Sequence, residues 1–233
     1  MKGYKQAFKK AFPYTIPVLT GYLLIGIAFG AMYAEKGYSF LWAGLMSLLV
    51  YAGSGQYLSV NFFVAGVSLI QVMILTLMVN IRHIFYGLSL LDKFNKMGKK
   101  RWYMIFSLTD ETYSLLCATK VPKDIEEDKF LLAIAILNQI YWVAGSVIGG
   151  IAGNFLPFDS TGIEFAMTAL FIVIFIEKWL DKKNRISEII GVIMALIGLQ
   201  IFGADKFILP TMTAIVAILF LGRTKLDGEE KCQ

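Results

Sequence analysis

Val67-SLIQVMILTLMVNIRHIFYGLSL-Leu91 is an apolar run of membrane-spanning length with an arginine and a histidine side by side inside it. No other charge interrupts it. About 20 predominantly apolar residues cross the hydrocarbon core of a bilayer. A charge at the centre of such a helix costs about 2.5–3.5 kcal/mol on insertion scales, so it faces a partner or a wet cavity. Arg82 lies about nine residues from the end of the run, which at roughly 1.5 Å per residue is too deep for easy snorkelling. His83 is the only histidine of the chain. The pair therefore decides the fold class and marks the first place to look for function.

The surrounding chain has the same character. Of 233 residues, 57% are hydrophobic and 17% charged, against about 25% charged in a soluble domain, and mean hydropathy is +0.65. Apolar segments run over about 15–34, 40–65, 67–91, 102–118, 130–153, 164–180, 186–203 and 206–222. Ten-residue alternating segments, the mark of a transmembrane barrel, are absent. The reading is an all-α, polytopic helical membrane protein with a single permease domain spanning 1–233. The net charge of +5 gathers at segment ends, so it reports topology and no nucleic-acid partner is expected. Cys117 and Cys232 lack CxxC spacing, so neither a disulfide framework nor a metal site is expected. The first run, 15–34, is too long for a signal-peptide core and lacks small residues at a cleavage site, which predicts an uncleaved span.

Lysine and arginine placement chooses between two topologies. Eight full crossings would put the five basic residues of 93–101 outside. The alternative lets 40–91 make one net crossing and 102–118 none, giving six crossings plus broken or re-entrant segments around 51–57 and 106–113. That arrangement places 19 of the 22 basic residues in the cytoplasm, as the positive-inside rule favours. Both place the N-terminus (1–12) and the tail (223–233) in the cytoplasm.

Local chemistry agrees with broken segments. Gly53, Ser54, Gly55 and Gln56 interrupt an apolar run, where glycines let the backbone unwind towards a ligand and a half-helix N-terminus attracts a carboxylate. Close helix packing by small residues is the competing reading. Asn80-IRHIFY-Gly87 offers Asn80, Arg82 and Tyr86 as substrate contacts, Arg82 through a fork that grips a carboxylate. His83 titrates near neutral pH and suits proton coupling; the competing reading is a structural network around the pair. Asp110 and Glu111 supply the opposite charge. Adjacent helical residues diverge by about 100°, so one can meet Arg82 while the other carries a proton. Here the alternative is an interfacial helix whose acids contact water. Asn138, Gln139 and Gln200 read as interhelical hydrogen bonding, and Pro210 as a bend in the last span.

Three pieces in this order, Gly26–Gly30 with Tyr51-AGSGQ-Tyr57, Asn80-IRHIFY-Gly87 and Leu108-Thr-Asp-Glu111, resemble the AzlC family, the large subunit of bacterial branched-chain amino acid exporters. The similarity covers about residues 10–222. It implies a multi-pass permease of the bacterial cell membrane, a small AzlD-type membrane subunit as partner, and substrates such as leucine, isoleucine, valine or methionine. No cofactor is expected. Two other classes compete. An intramembrane hydrolase would use Ser54 as nucleophile and His83 as base, although Arg82 beside the histidine lowers its basicity. A channel or structural subunit would show flux that does not saturate, or none.

Overall fold

The structure, a computed structural model, describes residues 2–65, 68–155 and 185–203, together with 172, 175–176, 179–180, 207, 210–211, 213–215 and 217–218. The segments expected at 164–180 and 206–222 fall largely outside the described residues, and the tail 223–233 wholly so. The chain divides into two compact units, one built on residues 1–167 and the other on 168–231. In the second, the described helix is Arg185–Phe202. All candidate site residues belong to the first.

Every described element of the first unit is helical: α1 (Lys2–Glu35), α2 (Phe40–Leu49), α3 (Gly53–Ala65), α4 (Leu69–Asn80), α5 (Arg82–Ser89), α6 (Leu91–Asn95), a 3₁₀ turn (Gly98–Lys100), α7 (Arg101–Phe106), α8 (Asp110–Ala118) and α9 (Glu127–Phe155). Their lengths sort them. With 34 and 29 residues, α1 and α9 span about 50 and 44 Å, more than a roughly 30 Å hydrocarbon core. The others are short. Among the described residues two helices are long and apolar enough to cross a membrane, or three if α4 and α5, bent by 41° at Ile81, form one broken span.

α1 and α9 run parallel and form the spine. Gly3 lies against Lys129, the Thr15 hydroxyl meets that of Tyr141 at 3.0 Å, and Gly153 lies against Ala31 and Ala34. Backbones touch because glycines permit it. A Cβ on Gly30 would stand 2.0 Å from the Ser146 carbonyl oxygen, and one on Gly149 2.0 Å from that of Ile27. Small residues at such seams are how membrane helices gain packing without a hydrophobic driving force.

Against this spine the short helices make two hairpins from opposite ends. α2 starts beside Gly150, near the C-terminal end of α9, and descends until Ser47 bonds Ser146 and Gln139 bonds the Leu48 carbonyl. The chain breaks over 50–52, where Tyr51 holds φ +46. That left-handed backbone is costly for a bulky residue and persists where surrounding packing dictates it. α3 then turns back, its start against the end of α4, so α4 descends to mid-height and α5 and α6 carry on to the other end. There Leu90 and Phe94 are buried with Ala7, Ala11, Phe130 and Leu131. From this end α7 rises until Tyr103 bonds Gln139, the chain breaks over 107–109, and α8 returns. Ion pairs Lys10–Asp124 and Lys100–Asp128 fasten that end. The Lys10 ammonium holds the Asp124 carboxyl below its usual range.

The expected breaks near 51–57 and 106–113 are present, and the break at Ile81 was not foreseen. Cys117 is disulfide-bonded, which the spacing of two cysteines did not suggest.

The geometry predicts one common end for residues 2–10, 93–101 and 119–129. In a chain with Cys117 and Cys232 replaced by serine, a cysteine at Lys96 should resist an impermeant thiol reagent added to intact cells, while one at Lys36 should react. Reaction at both positions, or at neither, would contradict the arrangement. Gly149→Ala should also lower stability by at least the roughly 1–3 kcal/mol of an overpacked site, read as a drop in the thermal midpoint in detergent. Gly21→Ala, where nothing lies within 4 Å of the new Cβ, should leave it unchanged.

Candidate functional site

Three helix starts meet at mid-height: Gly53 and Ser54 open α3, Arg82 opens α5, and Asp110 opens α8. Arg82 joins them. Its Nη2 lies 3.1 Å from Asp110 Oδ2 and donates to Ser54 Oγ at 3.0 Å. Tyr86, one turn further along α5, donates to Asp110 Oδ1 at 2.8 Å. Two residues of α5 thus hold both oxygens of one carboxylate on α8. The pair is partly open, with 31% of the Arg82 side chain and 19% of Asp110 accessible.

Each helix start has its own electrostatic logic. Asp110 and Glu111 lie in the first turn of α8, where negative charge suits the helix dipole, and Thr109 caps it by accepting from the Thr112 N–H at 3.3 Å. Arg82 opposes the dipole of α5, so its attraction to Asp110 outweighs an unfavourable local setting. Its Nε is buried without a hydrogen-bond partner, and so is Asn80 Oδ1, whose Nδ2 donates to the Thr76 carbonyl at 2.8 Å. A Cβ on Gly55 would stand 2.9 Å from that Nδ2, so a larger residue there would push the Asn80 amide aside. His83 follows Arg82, its ring 5.9 Å from that of Tyr86, which stacks on Tyr113 at 4.4 Å.

Glu111 takes a different partner. The Tyr22 hydroxyl, from α1, donates to Glu111 Oε2 at 2.7 Å and sits 2.6 Å from Thr109 Oγ1. Thr109 in turn lies 2.9 Å from Thr112 Oγ1, which accepts from Asn138 Nδ2 of α9 at 3.0 Å. The two acids point apart, as their adjacency on one helix requires.

Most of the sequence-derived residues therefore converge: Gly53, Ser54, Gly55, Asn80, Arg82, Tyr86 and Asp110 surround one point, with His83 and Glu111 beside it. Gln56 stands apart. It is fully buried, its Nε2 donating to Ser47 Oγ at 3.0 Å and its Oε1 accepting from Trp142 Nε1 at 2.9 Å, so both amide atoms are engaged in joining α2, α3 and α9. Asn138 and Gln139 bond between helices, as expected. Tyr22, Tyr51, Thr109 and Thr112 escaped the sequence reading, because hydroxyl residues in apolar helices carry no pattern that names their distant partners. Among the described residues no three His, Cys, Asp or Glu side chains converge as a metal would require. Ser54 receives its hydrogen bond from a guanidinium, a poor setting for a nucleophile.

A family model described as AzlC protein matches residues 17–156. The branched-chain amino acid transport protein AzlC of Bacillus subtilis is 42% identical over 96% of this chain and 88% of its own length. An uncharacterized membrane protein of Haemophilus influenzae is 42% identical over 95% of this chain and 91% of its own. The inner membrane protein YgaZ of Escherichia coli is 26% identical over 89% of each. No solved structure matches.

Removing one member of a buried pair leaves the other charge uncompensated, which is the costly state. Arg82→Gln should destabilise the protein by roughly 2 kcal/mol, less than a fully buried pair because of its exposure. Adding Asp110→Asn should recover most of the lost folded protein, and adding Glu111→Gln should not. Size-exclusion profiles of tagged variants would measure it.

Proposed function

The chain belongs to the AzlC family, and from that premise we propose that it is a secondary transporter that exports branched-chain and other hydrophobic amino acids. Family membership sets it among transport proteins rather than enzymes. The observation that carries the reading is the Arg82–Asp110 pair, held where three helix starts meet.

An amino acid is a zwitterion on an apolar stem. Its carboxylate suits Arg82, the hydroxyl of Ser54 and the N-terminal end of α3 with Gly53 and Gly55. Its ammonium suits Asn80 Oδ1 and the carboxylate that Tyr86 positions. Substrate and Asp110 compete for one guanidinium, so binding weakens an internal ion pair. His83, Asp110 and Glu111 are the groups able to take a proton there, which supports a proton gradient as the driving force. No GxxxxGK[ST] pattern occurs in the sequence, so ATP hydrolysis is not assigned to this chain.

In this reading one permease domain makes six crossings: α1, the broken α4–α5 pair, α9 and segments 164–180, 186–203 and 206–222. The hairpins α2–α3 and α7–α8 enter from opposite faces without crossing. Both termini lie in the cytoplasm of a bacterial cell, and a small AzlD-type membrane subunit completes the transporter.

Cells loaded with a leucine-containing dipeptide should lose internal leucine several-fold faster when this chain is co-expressed with its small partner. A proton uncoupler should abolish the difference. Equal efflux with and without the pair would reject amino acid export. Saturable export that ignores the uncoupler would keep the transporter and reject the proton.

A further inference from the structure

Four side-chain oxygens are joined in a line by three short contacts: Glu111 Oε2 to the Tyr22 hydroxyl, Tyr22 to Thr109 Oγ1, and Thr109 to Thr112 Oγ1, at 2.7, 2.6 and 2.9 Å. The line leaves the first turn of α8, touches α1 and returns to α8 against α9. It is nearly dry: Tyr22 is 4% exposed, Thr109 7%, and Thr112 and Asn138 not at all. In such surroundings each contact between oxygens needs a hydrogen to fill it, because an unfilled one leaves buried polar groups unsatisfied.

A hydroxyl brings one hydrogen and two lone pairs. With Glu111 ionised, three hydroxyl hydrogens fill three links in one way only, with Thr112 turned to donate to Thr109, Thr109 to Tyr22, and Tyr22 to Glu111. In the structure as it stands, Thr109 donates to Thr112. A proton added to Glu111 Oε2 reverses the line. Glu111 then donates to Tyr22, Tyr22 to Thr109, and Thr109 to Thr112, while the Thr112 hydrogen is turned out. One O–H bond forms, on the carboxyl; the hydroxyls only rotate. The displaced hydrogen needs an acceptor, and Asn138 Nδ2 already occupies one lone pair of Thr112 as a donor. Two buried polar atoms without a bonded partner stand at that end, the Tyr51 hydroxyl beside Thr112 and Tyr22, and Asn138 Oδ1. Tyr51 is the left-handed residue at the break between α2 and α3.

We propose that Tyr22, Thr109 and Thr112 form a hydroxyl relay whose direction is set by the protonation of Glu111 and is read out by Tyr51 at the tip of the opposite hairpin. The Tyr51 hydroxyl, without a hydrogen-bond partner in the structure, accepts the Thr112 hydrogen when the line reverses. A hydrogen bond gained or lost there is comparable with the cost of its backbone conformation, so the relay biases the hairpin break. The titratable groups that face the Glu111 carboxyl are Tyr22 from α1, Tyr51 from the break and Tyr86 from α5, with Asp110 beside it on α8. Arg82 and His83 of α5 lie around Asp110, and α9 presents neutral Asn138 to Thr112. The relay deepens the proton-coupled reading above and rests on it for its purpose, but its existence is testable without substrate.

Infrared difference spectra of the purified full chain in lipid, taken between low and high pH, should contain a carbonyl stretch of a protonated carboxyl that disappears in Glu111→Gln. Tyr22→Phe, which keeps the ring against Trp142, should displace that band. Thr112→Val should displace it too, although two hydrogen-bonded oxygens separate it from the carboxyl. Tyr113→Phe should leave it in place. A band unmoved by Thr112→Val, in protein whose elution matches the parent, would overturn the relay, as would a spectrum that Glu111→Gln leaves unchanged. If Tyr22→Phe does not fold, Thr112→Val alone decides. Neither result depends on leucine export, so failure of the relay and failure of the transport reading are separate outcomes.

Discussion

A guanidinium at membrane depth must be neutralised, and the placement of Asp110 answers that requirement. Arg82 lies too deep in its apolar run for easy snorkelling, and its partner is brought to it by a helix that begins at mid-height. A helix beginning there means a break in the chain over 107–109, and a break inside a membrane protein survives only where the freed backbone groups face protein or a wet cavity. The α7–α8 hairpin follows from the charge, and the hydroxyl of Ser54 at the start of α3 draws the opposite hairpin to the same point.

The spine makes this possible. α1 and α9 pack backbone to backbone at Gly30 and Gly149, leaving a rigid surface on which short helices can end in mid-membrane. Hydrogen bonds with Trp142, Ser146 and Gln139 then fix where α2 and α7 end and where α3 begins. The polar residues of α9 therefore act as a template, while the charged residues sit on the short helices that end against it. That division suits a transporter, in which a site changes affinity while its scaffold holds still.

Much of this was legible in the sequence and some was not. Gly53-Ser-Gly55 and Thr109-Asp-Glu111 announce helix starts by composition, and the basic residues of 93–101 reveal which end they share with the N-terminus. The pairing of Arg82 with an acid followed from the cost of a lone charge, although the choice of Asp110 over Glu111 needed the rotation of α8. The break at Ile81 carries no glycine or proline, so nothing local marked it. Tyr22 lies 89 residues from Glu111 in the chain, and only the fold brings them together. Gln56 looked like a ligand beside two glycines, and its amide instead joins three helices.

The central claim is that Arg82 exchanges Asp110 for the carboxylate of the substrate. Binding of leucine and of leucinamide, which lacks that carboxylate, to the purified protein in lipid tests it most directly, with Arg82→Gln/Asp110→Asn as a charge-balanced comparison. The account predicts that the parent binds leucine and not leucinamide, and that the double variant binds neither. Leucine binding of undiminished affinity in the double variant would contradict it.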